Sequence, residues 1–307
     1  MTLASRVTGL VRELLVAAFF GASATTDAFN VAFRLPNLLR RLFAEGAFSQ
    51  AFVPVLAATR ETEGIEATRV LVSRIATVLV WALLVTCLLG VVGAPWLVWL
   101  IASGLQQTDG GYDTAVLLTR WMFPYIGFMS LVALAAGVLN TWKRFLVPAA
   151  TPVLLNVAMI IAAAVGAPGL ARLGIEPIYA LAAGVMVGGA LQLGIQIPAL
   201  RRIGVFPKIG IRPSAIKEAW NDAGTRRILS LMAPALLGVS VAQISLLINT
   251  QIASYLQPGS VSWLTYADRL MEFPTALLGV ALGVVLLPQL ASAKAQGDAH
   301  RIFPPQQ

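Results

Sequence analysis

Apolar residues run along the chain in blocks of about 20 or more, separated by short polar connections. Eight such blocks predict helices at about 3–21, 26–58, 70–103, 114–141, 147–167, 176–200, 225–255 and 260–293. A helix of about 20 apolar residues crosses the hydrocarbon core of a bilayer, so every block is long enough to span it. The longer ones must tilt, kink or protrude. Prolines punctuate them: Pro36 and Pro54 in the second, Pro95 in the third, Pro124 in the fourth, Pro274 and Pro288 in the eighth. Outer-membrane strands alternate polar and apolar residues, and these blocks do not. The pattern predicts an all-α polytopic membrane protein with about eight transmembrane helices.

Composition agrees. Of 307 residues, 58% are hydrophobic and 12% charged, about half the charged share of a soluble domain. A formal charge of +8 could suggest nucleic acid, but its distribution favours membrane topology. Basic residues collect in the even-numbered connections: Arg60, Arg69 and Arg74; Lys143 and Arg144; then Arg201, Arg202, Lys208, Arg212, Lys217, Arg226 and Arg227. The odd-numbered connections are acidic or glycine-rich, as in "SGLQQTDGGYD", and carry Arg172. That asymmetry places the N-terminus and the even connections in the cytoplasm. Trp96, Trp99, Trp121, Trp142 and Trp263 fall near predicted span ends, where the ring anchors at the interface. The start, "TLASRVTGLVRELL", has no short apolar core with a small-residue cleavage site, so no cleavable signal peptide is expected.

Catalytic chemistry finds few residues to work with. One cysteine, Cys87, excludes a disulfide within the chain, and one histidine, His300, excludes a histidine cluster. No Ser/His/Asp arrangement, phosphate-binding loop or metal-ligand spacing occurs, so no cofactor and no ATP hydrolysis are expected. Gly184 and Gly188 in "GVMVGGALQLG" are four apart, as in tightly packed membrane helices.

Charge inside the spans is the unusual feature. On the second helix, Asp27, Asn30, Arg34, Asn37, Arg41, Glu45 and Ser49 fall within an arc of about 120°. Such a face cannot meet lipid, since each charge at the bilayer centre costs at least about 2.5–3.5 kcal/mol. It therefore lines water or pairs with another helix. Arg40 points the opposite way. The first helix adds Ser5, Arg6, Arg12 and Glu13, and the eighth Asp268, Arg269 and Glu272. The seventh contributes Ser240, Gln243, Ser245, Asn249 and Gln251. Internal ion pairs account for part of this set, with Glu45, Glu13 and Asp268 as glue. Six arginines still outnumber the carboxylates, and an uncompensated cationic cavity is costly unless an anion completes it. Arginine grips phosphate oxygens bidentately and keeps its charge, which predicts a central cavity for a phosphate or pyrophosphate.

A faint internal repeat relates "RLPNLLRRLFAEGAFSQAFVPVLAATR" to "RLMEFPTALLGVALGVVLLPQLASAK". It implies a six-helix unit with a second copy from about residue 225, the parallel arrangement of two-halved transporters. The expected organisation is a first lobe over 1–200, a basic cytoplasmic linker over 201–224, two helices of a second lobe over 225–295, and a tail over 296–307.

The stretch "SRVTGLVRELLVAAFFGASATTDAFNVAFRLPNLLRRLFAEGAFSQAFVPVLA" resembles the opening of the MurJ (MviN) lipid II flippases, of the multidrug/oligosaccharidyl-lipid/polysaccharide exporter superfamily. "PALLGVSVAQISLLINTQIAS" and "GSVSWLTYADRLMEFP" extend the resemblance over essentially all of residues 1–295. It implies two helical lobes around a central cavity, and translocation of lipid II across the bacterial inner membrane by alternating access. Membrane lipids are further partners; nucleic acid is not. The driver it implies is membrane potential or an ion gradient of unidentified ion. The substrate-binding residues it implies are Arg6, Arg12, Asp27, Arg40 and Arg269, then Asn37, Arg41, Glu272 and Ser262. Family members carry about fourteen helices, so eight imply a fragment. A cation-coupled drug exporter of the same superfamily, an enzyme acting on prenyl pyrophosphate, and a membrane scaffold stay open. The intramembrane arginines, the lack of a nucleophile or base, and the polar stripe weigh against them in that order.

Overall fold

The computed structural model describes residues 2–39 and 47–271, the side chains of 2–3 and 237–242 excepted. Among the described residues every regular element is helical: α1 Thr2–Phe20, α2 Ala24–Leu39, α3 Phe48–Thr62, α4 Gly64–Val92, α5 Ala94–Ala102, α6 Gly111–Met122, α7 Tyr125–Thr141, α8 Leu146–Ile161, α9 Ala167–Arg172, α10 Ile178–Arg202, α11 Pro213–Asn221 and α12 Ala223–Ser254. Residues 260–271 are also helical. The chain divides into a first unit, Met1–Leu264, and a second, Thr265–Gln307.

Four described stretches are long and apolar enough to cross a membrane: Gly64–Val92, Gly111–Thr141, Leu146–Arg172 and Ile178–Arg202. Leu88, Leu89, Val92 and Trp96 are exposed along one of them and its continuation, which suits a lipid-facing surface. The helix expected over 70–103 is two. Gly93 ends α4, its amide donating to Leu89 O at 2.7 Å. Pro95 then enters the first turn of α5, where a missing N–H costs nothing. The helix expected over 114–141 breaks at Phe123–Pro124, because proline cannot donate into the ladder. α8 passes through a π-helical turn, Ala162–Gly166, into α9. The expected second helix, 26–58, appears as α2 and α3, with 40–46 outside the described residues. α11 was not expected: its nine residues are too short to register as a span.

Within the first unit α2 lies against α6, α8 against α1 and α10, α7 against α10 and α4, and α12 against α3 and α5. The seam between α8 and α10 depends on small residues. A Cβ at Gly188 would lie 2.8 Å from Leu155 Cδ1 and 3.1 Å from Leu155 Cα, and one at Gly184 would lie 2.7 Å from Ala162 Cβ. Overpacking of this kind costs about 1–3 kcal/mol. Gly188→Leu is therefore expected to lower the thermal midpoint in detergent by several degrees. Gly194→Leu, where nothing lies within 4 Å of the added Cβ, should leave it unchanged.

The connections separate to two ends. At one, Arg60 donates to Thr141 O at 2.6 Å and stacks over Trp142, while Arg74 pairs with Glu218 and Asp222 at 2.6 Å each. Three of the basic connections thus meet. At the other, Gly104 N donates to Ser254 Oγ at 3.1 Å, and the turn after α1 meets the turn after α12 beside Asp27.

Candidate functional site

Ser23 opens α2 by accepting from Thr26 N at 3.2 Å, the usual use of serine at a helix start. Asp27 follows in the first turn, where the helix dipole favours a carboxylate. Its side chain does not stay on its own helix. Oδ2 accepts from Gly259 N at 2.7 Å, and Oδ1 from Ser262 N at 2.7 Å and Ser262 Oγ at 2.6 Å. The carboxylate, 3% exposed, therefore also caps the helix that starts at residue 260. Asn30, one turn along, donates to Ser262 Oγ at 3.1 Å. Gly259 has φ +98°, and a Cβ there would lie 2.9 Å from Ala22 O, so the turn requires glycine.

A second polar junction joins α1 to α8. Arg12, 8% exposed, pairs with Glu13 and donates to Asn156 Oδ1 at 3.0 Å, with Met159 Sδ at 3.8 Å. Asn156 in turn donates to Ser5 O and Thr8 Oγ1, each at 3.0 Å. Both halves of the amide are used, and the guanidinium keeps one N–H, at Nε, without a partner among the described residues.

A third joins α2 to α12. Arg34, equally buried, donates to Thr250 Oγ1 and, at 3.4 Å, to Leu246 O. Nearby in sequence, Gln251 accepts from Ser103 N at 3.0 Å and donates to Ser103 Oγ at 2.7 Å. Thr250, Gln251 and Ser254 thus tie α12 to α2 and to the turn after α5, while Gln243 Oε1 has no partner among the described residues. On α10, Gln192 donates to Thr151 O at 2.9 Å, and Gln196 is fully buried with no partner for its amide among the described residues.

Of the residues singled out from the sequence, Asp27 and Ser262 come together directly. Arg12 is buried, and its contacts are with Glu13 and α8 rather than with that pair. Arg6 is half-buried on α1 and bonds to no other described residue; Asn37 is half-buried on α2. Arg269 is half-buried and belongs to the second unit. Arg40, Arg41, Glu45, Glu272 and Pro274, and the side chain of Ser240, lie outside the described residues. Asn156, Thr250 and Gly259 were missed. An asparagine inside the apolar run "TPVLLNVAMII" was the available signal for the first. Among the described residues no group of three or more His, Cys, Asp or Glu could hold a metal ion.

The family model described as lipid II flippase MurJ matches residues 16–303. A lipid II flippase MurJ of Burkholderia cenocepacia is 56% identical over 299 residues, covering 97% of this chain and 57% of that protein. A probable lipid II flippase MurJ of Vibrio cholerae is 45% identical over 311 residues, covering 98% and 57%. Among solved structures, a lipid II flippase MurJ in an inward closed conformation superposes with a TM-score of 0.78 at 26% identity, covering 97% of this chain and 59% of that one. The chain spans somewhat over half the length of the relatives it matches.

Proposed function

The chain belongs to the MurJ family of lipid II flippases, and from that membership we propose that the protein moves lipid II, a lipid-linked peptidoglycan precursor, across the bacterial cytoplasmic membrane. The movement is by alternating access. A cationic cavity opens to one side and then to the other while the lipid tail stays in the bilayer.

The observation that carries this reading is the Asp27 junction. It ties α2 to the turn after α12, at the end opposite the basic connections. Basic connections stay in the cytoplasm, so the N-terminus is cytoplasmic and the junction closes the outer end. Arg6, Arg12 and Arg40 hold the diphosphate, and their charge persists at every cellular pH. Arg269, Asn37, Arg41 and Glu272 are grouped with them on the family resemblance. The driving force is a membrane potential or an ion gradient.

Complementation tests the reading. A chimera carrying residues 1–295 in place of the matching half of the Burkholderia cenocepacia relative is expected to restore growth to a flippase-depleted bacterium. A chimera that inserts stably and fails to restore growth would overturn the assignment.

A further inference from the structure

Between α10 and α12 the chain does not cross open solvent; it descends along α4. Lys208 N donates to Ser73 Oγ at 3.1 Å, Gly210 N to Thr77 Oγ1 at 2.9 Å, and Trp81 Nε1 to Gly210 O at 3.0 Å. These three partners lie four residues apart on one face of α4: the linker follows the helix for about one turn, roughly 6 Å, from Ser73 to Thr77, and Trp81 reaches back from the next turn to the same glycine. α11 then returns, and Glu218 and Asp222 pair with Arg74 at 2.6 Å each.

The descent enters a stretch of α4 apolar enough to cross a membrane. Irregular backbone is tolerated at such depth only where its polar groups are satisfied, and both the N–H and the C=O of Gly210 are. A Cβ at this glycine would lie 2.7 Å from Ala215 Cβ, so the fold back into α11 is also tight. The side chains of the linker point elsewhere. Ile211 is 79% exposed, and Phe206, Ile209 and Trp220 are about half exposed. Three basic residues, Lys208, Arg212 and Lys217, are exposed among them. Apolar tips beside cations, at the level where a spanning helix enters the bilayer, match the boundary between acyl chains and anionic headgroups.

We infer that residues 206–217 form an interfacial wedge that binds anionic phospholipid of the cytoplasmic leaflet, with Ile209 and Ile211 in the acyl region and Lys208, Arg212 and Lys217 on the headgroup phosphates. This rests on the cytoplasmic placement of the linker given above and goes beyond the transport reading, because lipid held here is a constituent of the membrane and is not carried.

The test uses the chain in nanodiscs of phosphatidylethanolamine and phosphatidylglycerol. With Cys87→Ala as background, a nitroxide at Ile211→Cys is expected to collide more often with oxygen than with a water-soluble nickel chelate. An aqueous reading would assign these apolar tips to a soluble protein partner and overturn the wedge. Each basic residue near an anionic surface is worth roughly fivefold in association. Lys208→Gln/Arg212→Gln/Lys217→Gln should therefore lower retained phosphatidylglycerol by at least about tenfold, with phosphatidylethanolamine unchanged. Equal retention in the variant would overturn headgroup binding. Sidedness is read separately, by impermeant maleimide on a cysteine at Lys208 in inverted and right-side-out vesicles. Labelling from the outer face would overturn the leaflet assignment and, with it, the topology on which transport was argued.

Discussion

Arg12→Ala, grafted into a full-length relative, is expected to abolish growth rescue, and most of that loss should survive restoration of stability. The guanidinium has a structural duty and, under the proposed function, a substrate-binding one. It bridges α1 to Asn156 on α8 and it neutralises Glu13 within an apolar helix. Removing one member of a buried pair costs about 3–5 kcal/mol, so the single variant should melt earlier in detergent. Arg12→Ala/Glu13→Gln removes both charges together and is expected to recover most of the thermal midpoint. If Arg12 also grips the diphosphate, the double variant remains inactive although it is stable. A double variant that restores growth would reduce Arg12 to a structural clamp. Arg12→Lys separates the duties further. An ammonium keeps the charge beside Glu13 but loses the planar fork, so stability should stay near the parent value while rescue falls.

Asp27→Ala should open the end of the helices where α2 begins, the outer end under the proposed topology. The carboxylate takes three hydrogen bonds, at 2.6–2.7 Å, from one turn and one helix start. Bonds to a charged group contribute about 1.5–3 kcal/mol each, and losing the acceptor leaves two backbone N–H groups buried. Even a net loss of about 1.4 kcal/mol shifts a two-state balance tenfold. A cysteine at Asn30, with Cys87→Ala as background, is expected to react with impermeant maleimide in whole cells at least about tenfold faster when Asp27 is alanine. Ser262→Ala removes one of the three bonds and should give an intermediate rate. Identical rates in all three would mean that the junction does not govern access.

These junctions mark where the sequence was legible. In the described part of the helix-two stripe Asp27 and Arg34 are buried and Asn30, Asn37 and Ser49 half-buried, as a face kept from lipid requires; Arg41 and Glu45 lie outside the described residues. For Arg34 the expectation left water or another helix open, and the structure supplies the second, in Thr250 and Leu246 of α12. Asp27 and Ser262 were both marked, yet nothing in the sequence joins residues so far apart. Pro95 marks a kink in the helix expected over 70–103, but unbroken hydrophobicity to residue 103 hides that Gly93 ends one helix and a second begins at Ala94. The close spacing of Gly184 and Gly188 was read correctly, because a missing side chain at helical spacing has a direct geometric meaning. The linker was read by charge alone. Its hydrogen bonds to Ser73, Thr77 and Trp81 depend on three residues that sit, by period, on one face of α4, and no charge or hydrophobic pattern marks them.

The distance in sequence between Asp27 and its partners sets an order of events during synthesis. Asn156 follows Arg12 by 144 residues, whereas Ser262 follows Asp27 by 235. A ribosome adding about 5–20 residues per second produces those intervals in roughly 7–29 s and 12–47 s. The clamp on α8 can therefore form while α12 has yet to be made, and the aspartate stays without its donors, Gly259 N, Ser262 N and Ser262 Oγ, until the chain is nearly through residue 262. For that time its charge is best kept at the watery boundary where α2 begins, and its position in the first turn allows this.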